Sequence, residues 1–507
     1  MWEHMLAGLL NAMTPVNLLV AALGITGGIL IGALPGLTAT MGVALLVPLT
    51  FAMDPATGLV MLGAVYTGAI YGGANSAILI NTPGTPSSVA TTFDGWPLCK
   101  QGRADEALIT SLFSSSFGGI VGTIFLAFVA VPLAIFSLKF GAPEFFWLCI
   151  FGLSTIAAMS MDNVLKGLIS GAIGLLIACI GLDPMTGAPR FTFGSYSMVQ
   201  GIEVIPAMIG LFSFSQVINL VGSRDKFIAD YKPTPGALRR VLTKIYQKCK
   251  MNIMRSSLIG TVVGILPGAG GEIASIIAYN ETKRWDKDPA KYGKGAIEGV
   301  VASESANNAV IGGSLIPLLT LGIPGSAVAA IIMGGLLAHG IAPGFKIFTQ
   351  HGDVAYTFIM SLIVANILMF FVGLALIKGT ARILNIPTSY IGVGVVVLSI
   401  IGSYAIRNSM LDVAMMIVFG LIGHFGGRIG LDTGAMALGL ILGHIIEENL
   451  GKSMALAGAE GSIWAVFFGS TISFILILLT IASVMTPFFL KKRAAKAAAA
   501  RGGAKVD

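Results

Sequence analysis

Four short interruptions of apolar sequence hold the residue types most able to do chemistry in this chain. They are Leu34-Pro35-Gly36, Asn81-Thr82-Pro83-Gly84-Thr85-Pro86, Leu266-Pro267-Gly268-Ala269-Gly270-Gly271 and Gly322-Ile323-Pro324-Gly325-Ser326. Proline lacks a backbone donor and displaces the carbonyl of the preceding turn, so each break frees main-chain groups. In hydrocarbon such groups are costly unless they line a cavity or meet other protein. A helix restarting after a break presents unpaired N–H groups and a positive dipole end, which suits a carboxylate or a phosphate. The hydroxyls of Thr82, Thr85, Ser87, Ser88 and Ser326 add donors, and Asn81 can donate or accept. Asn81, Thr82, Pro83, Gly84, Thr85, Pro86, Ser87, Pro324, Gly325 and Ser326 are therefore the substrate-binding candidates. Carbonyls released at the same Pro-Gly turns suit Na+, with no particular ligand singled out. The competing reading is ordinary proline kinks with glycines for close helix packing.

A second set comprises helix-break and ion-site candidates: Pro35, Gly36, Thr38, Pro267, Gly268, Gly270, Gly271, Glu272, Glu304, Asn307 and Asn308. Glu272 follows the Gly-Ala-Gly-Gly stretch, and Ser303-Glu304-Ser305-Ala306-Asn307-Asn308 leads into an apolar helix. A carboxylate at membrane depth is a proton or cation site by default. The alternative puts both glutamates at the cytoplasmic interface, paired with Lys283, Arg284 or Lys294. His424 and His444 lie 20 apart without ligand partners at useful spacing, so metal binding is not expected there.

The elements that must carry these residues are membrane helices. Of 507 residues, 55% are hydrophobic and only 11% charged, against about 25% charged in a soluble domain. Apolar stretches near 15–33, 56–80, 107–136, 143–160, 164–182 and 199–222 approach the roughly 20 residues needed to cross a bilayer. Others follow at 297–321, 324–342, 354–378, 388–406, 409–425, 431–446 and 462–488. They predict an all-α polytopic membrane protein of about 10–13 transmembrane segments. The short alternating segments of a β-barrel are not seen. Residues 1–17 read as a short interfacial segment, not a cleaved signal peptide.

The halves resemble one another. Gly28–Gly36 reads GILIGALPG and Gly260–Gly268 reads GTVVGILPG; Tyr71–Val89 reads YGGANSAILINTPGTPSSV and Ile311–Val328 reads IGGSLIPLLTLGIPGSAV. Matched loops differ in charge: Phe51–Thr57 has no basic residue, whereas Thr282–Lys294 has five. After the first Pro-Gly-Thr turn come Lys100 and Arg103, after the second only Lys346. By the positive-inside rule, equivalent loops then face opposite sides. This predicts two inverted-topology repeats with broken helices or re-entrant hairpins, the arrangement of secondary transporters. The expected division is 1–222 first repeat, 223–255 basic cytoplasmic linker with an amphipathic segment, 256–488 second repeat, and 489–507 basic cytoplasmic tail.

Of the 31 Lys and Arg residues, 9 lie between Arg224 and Arg255, 5 between Lys283 and Lys294, and 6 from Lys491 onward. Such clusters orient membrane spans and do not make a nucleic-acid module. Cys99, Cys149, Cys179 and Cys249 are scattered, which argues for packing over disulfides or metal. Leu450-Gly451-Lys452-Ser453 lacks the earlier glycine of a phosphate loop, and neither GxSxG nor HExxH occurs. An intramembrane enzyme would need paired acidic motifs or a nucleophile–base set that the chain lacks, so no enzymatic activity is expected, and no cofactor beyond a coupling ion, Na+ or H+. A purely structural scaffold gives no reason for matched breaks.

GALPGL at Gly32–Leu37, YGGANSAILINTPGTPSSVATTFDG within Tyr66–Gly95, GILPGAGGEIAS and NNAVIGGSLIPLLTLGIPGSAVAAIIMGG together resemble TctA, the large membrane subunit of bacterial tripartite tricarboxylate transporters. The likeness extends from about Met13 to about Pro487. It implies import of citrate or other carboxylates across the bacterial inner membrane, driven by an ion gradient. It also implies two partners, a small four-helix membrane subunit (TctB-like) and a periplasmic solute-binding protein (TctC-like). The family's signature loops fall on Pro35 and Gly36, Asn81 through Pro86, Pro267 through Gly271, and Pro324 through Ser326. An elevator-like alternating-access mechanism is the expectation. A self-sufficient sodium/carboxylate symporter needing no binding protein is the alternative.

Overall fold

The computed structural model describes residues 2–34, 36–159, 164–221, 236–268, 270–383 and 388–485. Pro35, Ala269, residues 223–235 of the expected linker and the tail from 489 therefore lie outside the described residues. In chain order come α1 (Trp2–Ala12), α2 (Pro15–Ala33), α3 (Ala39–Thr50), α4 (Pro55–Ile80), a 3-10 turn at Pro86–Ser88, α5 (Val89–Lys100) and α6 (Ala104–Ser137). Then come α7 (Ala142–Met159), α8 (Val164–Ala178), the short strands β1 (Gly181–Leu182) and β2 (Pro189–Arg190), α9 (Val204–Met208) and α10 (Ser215–Val221). The series continues with α11 (Ala237–Lys248), α12 (Lys250–Ile265), α13 (Gly270–Trp285), α14 (Ile297–Leu321), α15 (Ala327–Ala338) and α16 (Phe345–Gln350). Last are α17 (Gly352–Ile383), α18 (Thr388–Arg407), α19 (Met410–Arg428), α20 (Thr433–Glu460) and α21 (Ile463–Phe468).

Among the described residues, five helices are long and apolar enough to cross a membrane: Pro15–Ala33, Pro55–Ile80, Ala104–Ser137, the Gly352–Ile377 part of α17, and Met410–Arg428. Shorter apolar helices accompany them. The chain is a nearly all-helical, polytopic membrane protein. The exception to helix among the described residues is the β1–β2 pair, antiparallel with Gly181 opposite Arg190. It closes a polar turn in which Asp183 Oδ1 accepts from the N–H groups of Met185 and Thr186, both at 2.8 Å. Those N–H groups, with Arg190 close by, hold the Asp183 carboxyl below its usual range.

Helix boundaries follow from local chemistry. Pro55 takes the first position of α4, where its missing N–H costs nothing, and Asp54 caps the helix through Ala56 N–H at 3.1 Å. At the far ends of α2 and α12, Leu34 (φ −86°, ψ 117°) and Leu266 (φ −78°, ψ 119°) turn extended. Each precedes a proline, which disfavours the α region for the residue before it.

Two compact units emerge, each made of an earlier and a later stretch of chain. One comprises the chain up to Ser137 together with Glu203–His424; the other comprises Leu138–Ile202 and the chain from Phe425 onward. All the candidate residues lie in the first unit. Its centre is formed by α4 and α14, which are buried on almost every side along their whole lengths. A helix of only moderate hydropathy achieves this through small residues. A methyl group at Gly28 would lie 2.5 Å from the Val65 carbonyl oxygen, and one at Gly260 would lie 2.2 Å from that of Ala306. Glycine there lets α2 close onto α4 and α12 onto α14, backbone against backbone. On its own, the amphipathic α11 buries Ala237, Val241 and Ile245, spaced four apart, against α6. In the second unit, α7 and α8 pack on α20, and Trp147 Nε1 donates to the Phe467 carbonyl at 2.9 Å.

Candidate functional site

α4 and α14 end in the same way. Asn81 closes α4 in the left-handed region (φ 56°), and Gly322 closes α14 there (φ 71°). The chain then doubles back. Gly84 N–H donates to the Gly73 carbonyl, and Gly325 N–H to the Ser314 carbonyl, each at 3.2 Å. Both glycines press on the preceding break: a methyl at Gly84 would sit 2.0 Å from the Gly32 carbonyl oxygen, and one at Gly325 would sit 2.6 Å from that of Gly264. Turn and break are thus packed backbone to backbone in each case. These contacts match Gly73 with Ser314 and Gly72 with Gly313, so the two Gly-Gly pairs are offset by one residue.

The breaks match as well. Leu34 N–H donates to Ile31 O at 3.2 Å, and Leu266 N–H to Val263 O at 3.1 Å. Gly36 and Gly268 follow with φ of 89° and 81°. Gly268 N–H donates to the Gly325 carbonyl at 3.0 Å, and Pro267 is buried. Thr38 caps α3, its Oγ1 accepting from Met41 N–H at 3.1 Å. Gly270 (φ 54°) opens α13, and Glu272 stands half-buried in its first turn.

Each turn then meets the other half of the sequence. The 3-10 turn Pro86–Ser88 and α5 pack against α13, whereas α15 packs against α3. At the first turn, Thr85 Oγ1 shares hydrogen bonds with Ser87 Oγ (3.1 Å) and Ser88 Oγ (3.0 Å). Ser275 of α13 donates to the Ser87 carbonyl at 3.0 Å. A methyl at Gly271 would fall 2.4 Å from Asn307 Oδ1 and 2.9 Å from Ser87 Cβ, so that glycine brings the second break, the first turn and Asn307 together. Both amide atoms of Asn307 are buried without a hydrogen-bond partner, as are those of Asn75 on α4. Orphaned buried amides are rare, and each has bonding capacity that a water, an ion or a ligand can use.

At the second turn, Pro324, Gly325 and Ser326 are all buried. Ser326 Oγ accepts from Ala329 N–H at 3.1 Å and shares a hydrogen bond with Tyr66 of α4 at 3.2 Å. The start of α15 is therefore capped. By contrast, neither Thr85 nor Ser88 makes a side-chain cap at the first turn, where Asn81 and Pro86 are exposed. Thr82 and Pro83 are half-buried, and the Thr82 hydroxyl donates to the Ile80 carbonyl at 3.3 Å.

Glu304 is fully buried on α14. Thr91 of α5 bonds its Oε1 closely, and Ser115 of α6 donates to Oε2 at 2.8 Å. Its partners are hydroxyls and not Lys283, Arg284 or Lys294; among the described residues no ion pair includes it. Asn308 Nδ2 donates to the Ser115 carbonyl at 3.0 Å.

Sequence reasoning did not single out Asp94, one turn beyond Thr91. Its Oδ1 accepts from Gly293, Gly295 and Ala296 N–H at 2.9, 2.8 and 2.8 Å, and its Oδ2 from Tyr279 at 2.9 Å. A fully buried carboxylate is thus satisfied by α13 and the loop between α13 and α14. The signal lay in the Thr-Thr-Phe-Asp-Gly end of the quoted first-half motif, where an acid follows an apolar stretch. In the same loop, Lys291 bridges Asp286 (2.8 Å) and Glu298 (3.0 Å). Burial opposes ionisation of Asp286, but the Asp288 N–H, Lys291 and Tyr292 outweigh it and hold the carboxyl at about 2.

A family model described as Tripartite tricarboxylate transporter TctA family matches residues 18–438. The chain is 37% identical over 463 residues to an Agrobacterium vitis protein described as "Uncharacterized 52.8 kDa protein in TAR-I ttuC' 3'region". That match covers 90% of this chain and 91% of the relative. A second Agrobacterium vitis protein, "Uncharacterized protein in TAR-II ttuC' 3'region", is 38% identical over 205 residues, covering 40% of this chain and 85% of the relative. No solved structure matches.

Proposed function

The chain belongs to the tripartite tricarboxylate transporter TctA family, and from that premise we propose that it is the translocating subunit of a cation-gradient-driven secondary transporter for citrate-like tricarboxylates or related carboxylates. Family membership makes it a transport protein and not an enzyme. In the proposed system a TctC-like periplasmic binding protein delivers the substrate, and a TctB-like small four-helix subunit completes the complex in the bacterial inner membrane.

The observation that carries this reading is the first turn. There an uncapped helix start, three clustered hydroxyls and the orphaned Asn307 amide meet beside exposed Asn81 and Pro86. An anion finds unspent donors at such a helix end, and Asn307 can add one more. The second turn, on this reading, is the equivalent end in its closed state, with Ser326 and Tyr66 occupying the donors that substrate would use. The matched return bonds of Gly84 and Gly325 support an internal duplication, and the loop charges support its inversion. Exchange of roles between the halves would then expose one turn while sealing the other, with Na+ or H+ offsetting the substrate's charge in the loaded state.

The test is uptake of labelled citrate into vesicles holding all three subunits, under an imposed Na+ or proton gradient. Accumulation should need a gradient and no ATP, and omission of the binding protein should abolish it. Accumulation that needs ATP and no gradient would sink the proposal; undiminished uptake without the binding protein would favour the self-sufficient symporter. Thr82→Ala should lower uptake with membrane insertion intact.

A further inference from the structure

We propose that Glu304 is where the coupling proton binds, and that its neutral acid bonds α14 to α5 and so to the first turn. This rests on the transport reading above and names the ion and the residue that reading leaves open.

Two carboxyl groups lie on the seam between α5 and α14, and their surroundings differ in kind. Asp94 accepts from three main-chain N–H groups and a phenol, so both its oxygens are met by donors. Glu304 has only hydroxyls: Thr91 at Oε1, Ser115 at Oε2, and Ser111 of α6 beside them. Among the described residues, no ion pair includes it. From α5 the ionisable side chains are Asp94, Cys99 and Lys100; from α6, Asp105 and Glu106; from α12, Lys250 and Arg255. Those of α13 are Glu272, Tyr279, Glu281, Lys283 and Arg284; α4 has Tyr66 and Tyr71, α16 has Lys346, α15 has none, and Glu298 is on α14 itself. None of them forms an ion pair with the Glu304 carboxyl.

With the neutral acid, the hydrogens of Glu304, Thr91 and Ser303 form one chain. The Glu304 O–H donates to Thr91 Oγ1, the Thr91 hydroxyl to Ser303 Oγ (3.1 Å), and the Ser303 hydroxyl to the Val300 carbonyl (3.2 Å). Ser115 donates to the remaining oxygen. Without the proton, a negative charge stands fully buried among α5, α6 and α14 with no counter-charge among the described residues, a state that membrane interiors penalise. Because Thr91 lies three residues after Ser88, gain or loss of that proton acts on the helix that the first turn opens. The proton is bound from the outer side and released inward with the carboxyl unchanged, so the cycle consumes only the gradient.

The experiment uses the complete three-subunit transporter in vesicles, labelled citrate and an imposed inside-alkaline pH gradient. Glu304→Gln keeps the shape and the donor of the neutral acid but cannot release a proton. Accumulation should fall about tenfold or more, the scale of a coupling energy between two ligand sites, while citrate–citrate exchange stays near the wild-type rate. Infrared difference spectra should show a neutral carboxyl band in the wild type that Glu304→Gln lacks. Should that variant fail to fold, Ser115→Ala serves. It removes a donor that favours the ionised form, so the pH of half-maximal uptake should rise. Wild-type accumulation by Glu304→Gln, an unmoved Ser115→Ala profile, or wild-type uptake driven by Na+ with no proton requirement overturns the proton site and leaves the transport reading standing. Absence of gradient-driven uptake in the wild type removes both.

Discussion

The turn after α4 and the turn after α14 share a backbone path and differ in what their side chains do. Each begins with a left-handed residue, sends a glycine N–H back to the residue eleven positions earlier, and presses that glycine on a break. In the first, hydroxyls bond one another and the ends of the turn are exposed. In the second, Ser326 caps a helix, Tyr66 bonds it and every residue is buried. Backbone geometry is set by the Pro-Gly pattern, which both share. Side-chain occupancy is set by what packs across from the other half, which they do not share.

That contrast can be broken at its common part first. A methyl at Gly84 would run into the Gly32 backbone, which cannot swing aside. Gly84→Ala should destabilise by about 2–3 kcal/mol, the upper range for overpacking, and Gly325→Ala by less, because its contact is 0.6 Å longer (2.0 against 2.6 Å). Thermal unfolding in detergent reads both; equal losses would mean that the two turns are not held in the same way. Next comes the surroundings of the first turn alone. Asp94→Asn places an amide against three N–H groups and should cost about 2–3 kcal/mol, as a buried charged hydrogen-bond set does when its anion is lost. The second turn, which has no such acid, should keep its proteolytic and thermal behaviour.

Smaller effects separate the hydroxyls. Ser326→Ala removes a cap and should cost about 1 kcal/mol, whereas Thr85→Ser, which keeps its bonds to Ser87 and Ser88, should cost less. A loss of uptake without loss of stability in the Thr85 variant would mark the first turn as the working one. The smallest effect is on pH. Asp286 is held at about 2 when folded, below the 3.8 of a free aspartate. Its contribution is therefore complete above about pH 4 and disappears as pH falls toward 2. Lys291→Met should move that loss to higher pH, as followed by Trp285 fluorescence.

The long spans were legible from hydropathy alone: the stretches expected at 15–33 and 56–80 are helices Pro15–Ala33 and Pro55–Ile80. The short helices beside the breaks were not. Residues Val89–Lys100 hold Thr91, Thr92, Asp94 and Lys100, and Gly270–Trp285 ends in charge. Neither has the uniform apolarity that a membrane window detects, because polar side chains in each are engaged in contacts with neighbouring elements, as Asp94 and Ser275 are. The turns themselves could be read from Pro and Gly, since those residues act locally. Their partners could not: Thr91 and Glu304 are 213 residues apart, and Tyr66 and Ser326 are 260. Pairings at that distance leave no periodic trace in a single sequence. Glu304 was marked as an acid of interest, but only its contacts separate a buried carboxyl from one at an interface.

The hold of Asp94 on Gly293, Gly295 and Ala296 has a practical consequence. The peptide bond after Lys294 carries one of those captured N–H groups, that of Gly295, so trypsin should cut it faster once the hold is released. Cleavage there, timed in vesicles permeabilised to the protease, becomes a clock for the detachment of α5 from the loop. A substrate or gradient that stirs the first turn should make that clock run faster, without any label attached to the protein.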